Sequence, residues 1–146
     1  MLDTNVPISF MRGREAAVVS HFSELQAEES CISIVVYGEL MHGVEKSSQS
    51  ELTLQLVMAA LKDVPVLPLT IEAARLFGYL SVFLERRGQM IGTNDLWIGA
   101  HALTENLTLI TSNERKFRRI PASKSKTGPS NLARHKSGEP KPSAFM

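Results

Sequence analysis

One run of the chain, from Thr93 to Leu103, constrains the fold more than any other. Its residues are apolar on nearly every side of a helix, and it opens with the small polar residues Thr93 and Asn94, which are common at helix N-termini. Such a helix must be buried on most sides. Asp95 nevertheless falls in its first turn, where the backbone amides and the helix dipole keep a carboxylate ionised. Asp95 is therefore either a candidate metal ligand or an ordinary favourable first-turn acid.

Strand-like and helix-like segments alternate along residues 1–121. Short apolar or β-branched runs predict strands, and apolar residues three and four positions apart predict helices. Because this alternation is typical of parallel sheets covered on both faces, we expect an α/β fold, a three-layer α/β/α sandwich with a central parallel sheet. The predicted strands are 1–2, 31–36, 64–69, 89–92 and 107–111, and the predicted helices are 15–29, one starting at 37, 50–62, 71–87 and 93–103, with a turn or short helix over 7–14.

The alternation stops at residue 122. Residues 122–146 are rich in Ser, Pro, Gly and Lys, so we predict one domain over 1–121 followed by a disordered basic tail. The charge is divided in a similar way, because residues 1–114 hold 7 Lys and Arg against 14 Asp and Glu, whereas residues 115–146 hold 9 against the single acid Glu139. An acidic body with a basic end suits a metal site beside a nucleic-acid surface. A solvated tail without a partner is the alternative.

Composition also restricts where the protein works. No apolar run approaches the roughly 20 residues that span a bilayer, and the N-terminus has no basic segment followed by an apolar one. The single cysteine, Cys31, excludes an internal disulfide and fits a reducing compartment. We therefore expect a cytoplasmic protein that does not act at a membrane.

Three acidic residues follow three of the predicted strands: Asp3, Glu39 and Asp95. In an open parallel sheet the carboxyl ends of the strands border the ligand crevice, so we expect these side chains to converge. Converging carboxylates raise each other's pKa unless a cation neutralises them, and Mg²⁺ or Mn²⁺ is the natural partner of an all-oxygen site. Such a site activates water and stabilises the charge that develops during cleavage of a phosphodiester.

Further polar residues accompany the acids. Asn113, two residues beyond the last predicted strand, is expected at the same edge as a neutral oxygen ligand or a water-positioning group, and Thr4 and Asn5 could orient Asp3. Taken singly, Asp3 could simply begin a turn and Glu39 could be a solvated acid in a first helical turn. The three acids together indicate function, because perturbed acids gather at strand-end clefts.

These motifs, in this order and spacing, resemble those of the PIN-domain ribonucleases, and most closely the VapC toxins of bacterial toxin–antitoxin pairs. The resemblance covers residues 1–121 and implies a PIN-like nuclease domain: a Mg²⁺-dependent endoribonuclease that cuts structured RNA, often a tRNA, is usually a homodimer and is inhibited by a cognate antitoxin. It also implies that Asp3 and Asp95 bind the metal and that Glu39 completes the site or helps to activate water. The segments that carry the resemblance are MLDTN at 1–5, IVVYGELMHG at 34–43, IGTNDLWIGAHAL at 91–103 and LTLITSN at 107–113.

The chain departs from the family in three places. Only two residues precede Asp3, Lys116 stands before Phe117 where the family often has an acid, and a basic tail replaces the usual closing apolar segment with its terminal Trp. These departures leave open a PIN fold of little or no activity that binds and titrates an antitoxin. A Mg²⁺-dependent phosphatase with Asp3 as nucleophile is a third interpretation, although Asn5 stands where such enzymes carry a second Asp.

Two histidines near these motifs are predicted to be structural. His42 lies three residues after Glu39 on a predicted helix, but a metal site of that spacing needs ligands from other helices and none is visible. His101 lies inside the apolar helix, six residues after Asp95 and on a different face.

Overall fold

The computed structural model describes residues 1–12, 30–123 and 125–127, and its helices and short strands build an α/β architecture around a parallel sheet. The helices are α1 (Asn5–Arg12), α2 (Ile34–Glu45), α3 (Ser50–Ala60), α4 (Ile71–Glu85), α5 (Thr93–Thr104) and α6 (Glu114–Phe117). The strands are β1 (Ile32–Ser33), β2 (Val66–Leu67), β3 (Leu109–Thr111) and β4 (Ser125–Thr127).

The sheet is held together at its centre by Leu2. β1 pairs in parallel with β2, and β3 pairs in parallel with β4. Leu2 bridges both Ile32 of β1 and Ile110 of β3, so the order across the sheet is β2, β1, Leu2, β3, β4. The N–H of Leu2 donates to the carbonyl of Cys31 at 2.8 Å, and the N–H of Asp3 donates to the carbonyl of Ile110 at 2.9 Å. Asp3 therefore stands at the carboxyl end of the innermost position of the sheet.

Helix α5 lies inside the protein, as its sequence predicts. Six of its residues are buried, and the first turn, the C-terminal end and part of Trp97 reach the surface. The indole of Trp97 stacks on Phe77 of α4 with ring centroids 3.9 Å apart, which joins these two helices. The other side of α5 packs against Phe117 and Ile120, both of which are buried.

The long predicted helices are confirmed. The segments 50–62, 71–87 and 93–103 correspond to α3, α4 and α5, and the turn or short helix over 7–14 is α1. Thr70 begins α4 as expected, because its Oγ1 accepts a hydrogen bond from the Ala73 N–H at 3.1 Å. The predicted helix over 15–29 lies outside the described residues.

Two strand predictions are corrected by the structure. The strand predicted over 31–36 ends at Ser33, because the Ser33 hydroxyl accepts a hydrogen bond from the Val35 N–H at 3.2 Å and so begins α2 three residues early. The strand predicted over 89–92 is absent, because the Gln89 N–H donates to the Leu84 carbonyl at 2.9 Å and closes the end of α4. Local capping overrides β propensity at both places.

Strand β2 lies at the edge of the sheet, as expected from Pro65 and Pro68 on either side of it. The opposite edge was not predicted, because β4 falls in the segment assigned to the tail. Its Ser-Lys-Thr sequence offers no apolar pattern, and the strand forms through backbone pairing with β3. The wider prediction for residues 122–146 stays a prediction. Within the described residues, no helix combines the length and apolar character that crossing a membrane requires.

Candidate active site

A polar cleft of about 440 Å³ opens beside the central position of the sheet. The three acids that the sequence predicts to converge, Asp3, Glu39 and Asp95, all line it, and Lys116 lies across from them. Four separate segments of the chain therefore meet at one opening. The remaining lining residues are Thr4, Asn5, Gly92, Thr93 and Asn94.

Each acid is positioned by a different element of the fold. Asp3 follows the Leu2 bridge, Glu39 lies in the second turn of α2, and Asp95 lies in the first turn of α5. Gly92, which precedes α5, allows the Asp95 carboxylate to turn back toward the backbone, since a Cβ at that glycine would stand 2.8 Å from Asp95 Oδ2. A side chain at position 92 would therefore displace this carboxylate.

Asp3 is almost fully buried, with 2% of its surface exposed. Its Oδ1 accepts a hydrogen bond from the Thr4 N–H at 2.8 Å, and its Oδ2 accepts one from the Thr111 hydroxyl at 2.8 Å. Burial raises the pKa of the Asp3 carboxyl, the two hydrogen bonds act in the opposite direction, and the nearby carboxylates of Asp95 and Glu39 add to the rise. A cation in the cleft would reverse this balance and favour the ionised form.

Glu39 is held by residues from two other segments. Its Oε2 accepts a hydrogen bond from the Thr4 hydroxyl, and its Oε1 accepts one from the Asn94 side-chain amide at 3.0 Å. The Thr4 hydroxyl thus orients Glu39, whereas only the Thr4 backbone contacts the neighbouring Asp3. These bonds fix Glu39 between the start of α1 and the start of α5.

Asp95 forms an ion pair with Lys116. Lys116 Nζ lies 2.9 Å from Asp95 Oδ2, and the two side chains are 42% and 20% exposed. The hydrogen bond to Asp95 is the main reason that the pKa of the Lys116 ammonium is raised, and attraction to Asp95, Asp3 and Glu39 adds to it against the effect of burial. The ammonium is therefore charged at neutral pH and faces all three carboxylates.

Asn113 does not line the cleft. It precedes α6, and its backbone N–H donates to the Thr111 hydroxyl at 2.9 Å, while its side chain makes no capping hydrogen bond. The role proposed for Asn113, as a neutral ligand or a water-positioning group, stays a prediction. Its observed contact supports the hydroxyl that in turn donates to Asp3.

His101 is buried inside the protein, as its place in the apolar helix predicts, and its Nε2 has no hydrogen-bond partner among the described residues. The ring is fully buried, and its Nδ1 lies 2.9 Å from the Ser33 hydroxyl that caps α2. Burial lowers the pKa of His101, and the opposing influence of Glu105 and of the Pro68 backbone is smaller. His42, the other histidine considered above, is exposed and lies outside the cleft lining.

The sequence did not predict three of the contacts in this site: Thr111 with Asp3, Asn94 with Glu39, and Lys116 with Asp95. Thr111 carried a usable signal, since it ends the strand beside Leu2 and parallel strand ends share one edge. Asn94 adjoins Asp95 and so had to lie near the same edge. No sequence pattern pairs Lys116 with an acid that lies 21 residues away.

The donor set has the chemistry of a hard-cation site. Its three acids offer only oxygen atoms and face one open cleft, as Mg²⁺ or Mn²⁺ requires. Across residues 1–12, 30–123 and 125–127, no three acidic, histidine or cysteine side chains stand close enough to hold an ion as they are now arranged. Asp3 and Glu39 instead accept hydrogen bonds from neighbouring protein groups, and Asp95 is paired with Lys116. The donor atoms suit a divalent cation, which would take the place of the ammonium beside Asp95.

Comparison with known proteins agrees with this architecture and site. The PIN domain family matches residues 1–123. The chain is 34% identical over 122 residues to ribonuclease VapC2 of Haemophilus influenzae, covering 84% of this chain and 92% of that protein. It is also 34% identical over 120 residues to the tRNA(fMet)-specific endonuclease VapC of Shigella flexneri, covering 82% and 90% of the two chains.

A solved structure gives the same result in three dimensions. The fold is similar to a chain in the crystal structure of VapBC2 from Rickettsia felis bound to a DNA fragment from its promoter. The TM-score is 0.81 at 31% sequence identity, and the match covers 88% of this chain and 98% of that one. The chain therefore belongs to the PIN-domain family, and within it to the VapC ribonucleases.

Proposed function

We propose that this protein is the toxin of a toxin–antitoxin pair, a Mg²⁺- or Mn²⁺-dependent endoribonuclease that cuts structured RNA, with tRNA as its substrate. The observation that carries the proposal is the meeting of Asp3, Glu39 and Asp95, from three distant segments, in one open polar cleft. The names of the relatives support the reaction, because they are ribonucleases and include a tRNA endonuclease.

The chemistry divides among the three acids. Asp3 and Asp95 would hold the divalent cation. That cation would stabilise the negative charge that develops on the phosphodiester during cleavage and would lower the pKa of the attacking water. Glu39, held by Thr4 and Asn94, would accept a proton from the attacking water. The hydrogen bonds from Thr4 and Thr111 fix the Asp3 carboxylate in one orientation, so that little reorganisation is needed when the cation binds.

The proposed partners follow from the same relationship. The Rickettsia felis structure contains VapBC2, and a second similar structure contains DNA-bound VapBC from Salmonella typhimurium, with a TM-score of 0.81 and 32% identity. We therefore expect a cognate antitoxin to bind this chain. A homodimer in the cytoplasm is expected from the resemblance of its motifs to those of the VapC toxins. Light scattering of the purified protein, with and without the co-expressed antitoxin, measures both associations.

The test is cleavage of total tRNA by the full chain, purified free of antitoxin, with and without Mg²⁺. We expect wild type to cleave only with the metal and Asp95→Asn to lose at least about 100-fold in rate, because a metal ligand and its charge are removed. Asp63→Asn is the matched control, since this exposed acid lies outside the cleft and its loss should leave cleavage unchanged.

A second candidate, an inactive PIN fold that titrates an antitoxin, is favoured by one observation: Asp95 already has a cation in Lys116. If folded wild-type protein cleaves no RNA but still binds its antitoxin, this second function replaces the first. Hydrolysis of a small phosphate ester with a trapped phospho-Asp3 would instead identify a phosphatase.

A further inference from the structure

The ion pair between Lys116 and Asp95 has no part in the chemistry proposed above. We propose that Lys116 is a tethered cation that competes with the divalent metal for Asp95, so that metal binding requires the lysine side chain to leave the cleft. This inference rests on the proposed function only in taking the cleft to be a metal site.

The position of the ammonium is that of a counter-ion to the whole cluster. Nζ lies 2.9 Å from Asp95 Oδ2, and the ammonium is also attracted to Asp3 and Glu39. Among the described residues that line the cleft, Lys116 is the single cation facing three acids. A divalent ion bound to Asp95 would meet this charge at close range, and two cations that share one carboxylate oxygen repel each other.

The backbone of Lys116 is fixed in place. The next residue, Phe117, is fully buried, and both Phe117 and Ile120 pack over Gly99 of α5. The Lys116 N–H also donates to the Asn113 carbonyl at 3.3 Å. This packing of α6 on α5 keeps the backbone of Lys116 beside Asp95.

The side chain, in contrast, is free to leave. The Lys116 side chain is 42% exposed, and its ammonium is carried on a flexible four-carbon stem. The side chain can therefore rotate into solvent without disturbing the core. A partner tethered this closely acts at an effective concentration in the millimolar range or above. The metal must therefore displace a cation that the chain itself holds beside Asp95, and this competition weakens the apparent affinity for the metal.

The test measures Mn²⁺ binding to the metal-free full chain by isothermal titration calorimetry. We expect Lys116→Met to bind Mn²⁺ at least about tenfold more tightly than wild type, because the competing charge is gone. Lys116→Arg keeps the charge and should bind as weakly as wild type. Lys62→Met is the matched control, an exposed lysine just after α3 and outside the cleft, and it should not change the affinity.

Two outcomes would overturn the inference: Lys116→Met that binds Mn²⁺ no more tightly than wild type, or no detectable Mn²⁺ binding by any variant. Circular dichroism checks that each variant is folded, and Lys116→Gln repeats the test should the methionine variant fail to fold.

Cleavage of tRNA measured in parallel separates this inference from the proposed function. If Lys116→Met binds Mn²⁺ more tightly than wild type but no variant cleaves tRNA, the proposal that Lys116 competes with the metal stands and the ribonuclease function is rejected. If wild type cleaves tRNA only with the metal, and Lys116→Met binds Mn²⁺ as tightly as wild type does, the ribonuclease function stands and the proposed competition by Lys116 is rejected.

Discussion

At the scale of single residues, Asp3 carries the largest conflict between stability and function. It is nearly fully buried, and burial raises its pKa more than the hydrogen bonds from Thr111 and Thr4 lower it. Without a cation, its ionised form therefore costs folding free energy at neutral pH. Active sites commonly retain such groups because the reaction needs them.

We predict that Asp3→Asn raises the melting temperature of the metal-free protein at pH 8, because the variant has no carboxylate whose ionised form must be buried. The folded-state pKa lies above the ordinary value of 3.8. The folded state therefore binds more protons than the unfolded state between these two pKa values, and stability falls as pH rises through that window. The advantage of the variant should appear above the folded-state pKa and vanish near pH 3.

Thermal melts followed by circular dichroism from pH 3 to pH 8, in the presence of a chelator, measure this difference. Asp63→Asn, which changes an exposed acid, should show no such pH dependence. An Asp3→Asn variant that melts lower than wild type at pH 8 would show that the surroundings stabilise the carboxylate instead.

At the scale of elements, the contact between α5 and α6 sets the distance between Asp95 and Lys116. Gly99 makes this contact possible, because a Cβ there would collide with the Ile120 Cδ1 atom and stand 3.6 Å from the Phe117 ring. Ile120 is buried, so its side chain has little room to move aside.

We predict that Gly99→Ala lowers the free energy of unfolding by about 1–3 kcal/mol through overpacking. Gly78→Ala is the matched control, because Gly78 lies in helix α4 with no atom near its Cβ position. That control should gain about 0.5–1 kcal/mol from helix propensity. Urea unfolding of the three proteins compares them, and a Gly99→Ala variant as stable as Gly78→Ala would contradict the packing argument.

The elements that sequence predicts well are those whose signals are local. Helix α4 has an apolar stripe and the Thr70 cap, and both survive in the structure. The strand prediction for 31–36 failed because the Ser33 cap starts helix α2 within a β-branched run. Propensity scales favour a strand for such a run. β4 was missed because edge pairing of polar residues leaves no hydrophobic period to detect.

At the scale of the whole molecule, the site was more predictable than the strands around it. Asp3, Glu39 and Asp95 meet in one cleft, although the strand predicted before Asp95 is absent and the strand before Glu39 is only two residues long. Topology therefore predicts the meeting of the acids, since the chain segments that follow parallel strands come together at one edge of the sheet. The ion pair of Asp95 with Lys116, in contrast, depends on side-chain packing between α5 and α6, for which the sequence carries no pattern.

The distribution of charge makes a prediction at the same scale. Residues 128–146 include Arg134, Lys136 and Lys141, and the single acid Glu139. If these cations contact RNA phosphates, a chain ending at Thr127 should bind RNA with a salt dependence shallower by about 2 in log–log slope, since each contact contributes about 0.7 on single strands. Filter binding over a range of salt concentrations measures the slope.

The full-length chain with all three cations changed to Gln separates charge from length, and it should match the truncated chain. Both proteins should have the same melting temperature as wild type, because residues 128–146 offer little to bury. An unchanged slope would assign these residues to a solvated tail without an RNA contact.

The central place of Leu2 in the sheet also determines when the protein can become active. Its two neighbours in the sheet, Ile32 and Ile110, lie far apart in the sequence, and the hydrogen bond from Thr111 to Asp3 spans 108 positions. Translation delivers the N-terminus first, so the innermost position of the sheet lacks β3 until almost all of the described fold has been synthesised. A chain proposed to cut tRNA would thus remain without its catalytic cleft for most of the time that tRNAs are being used to build it.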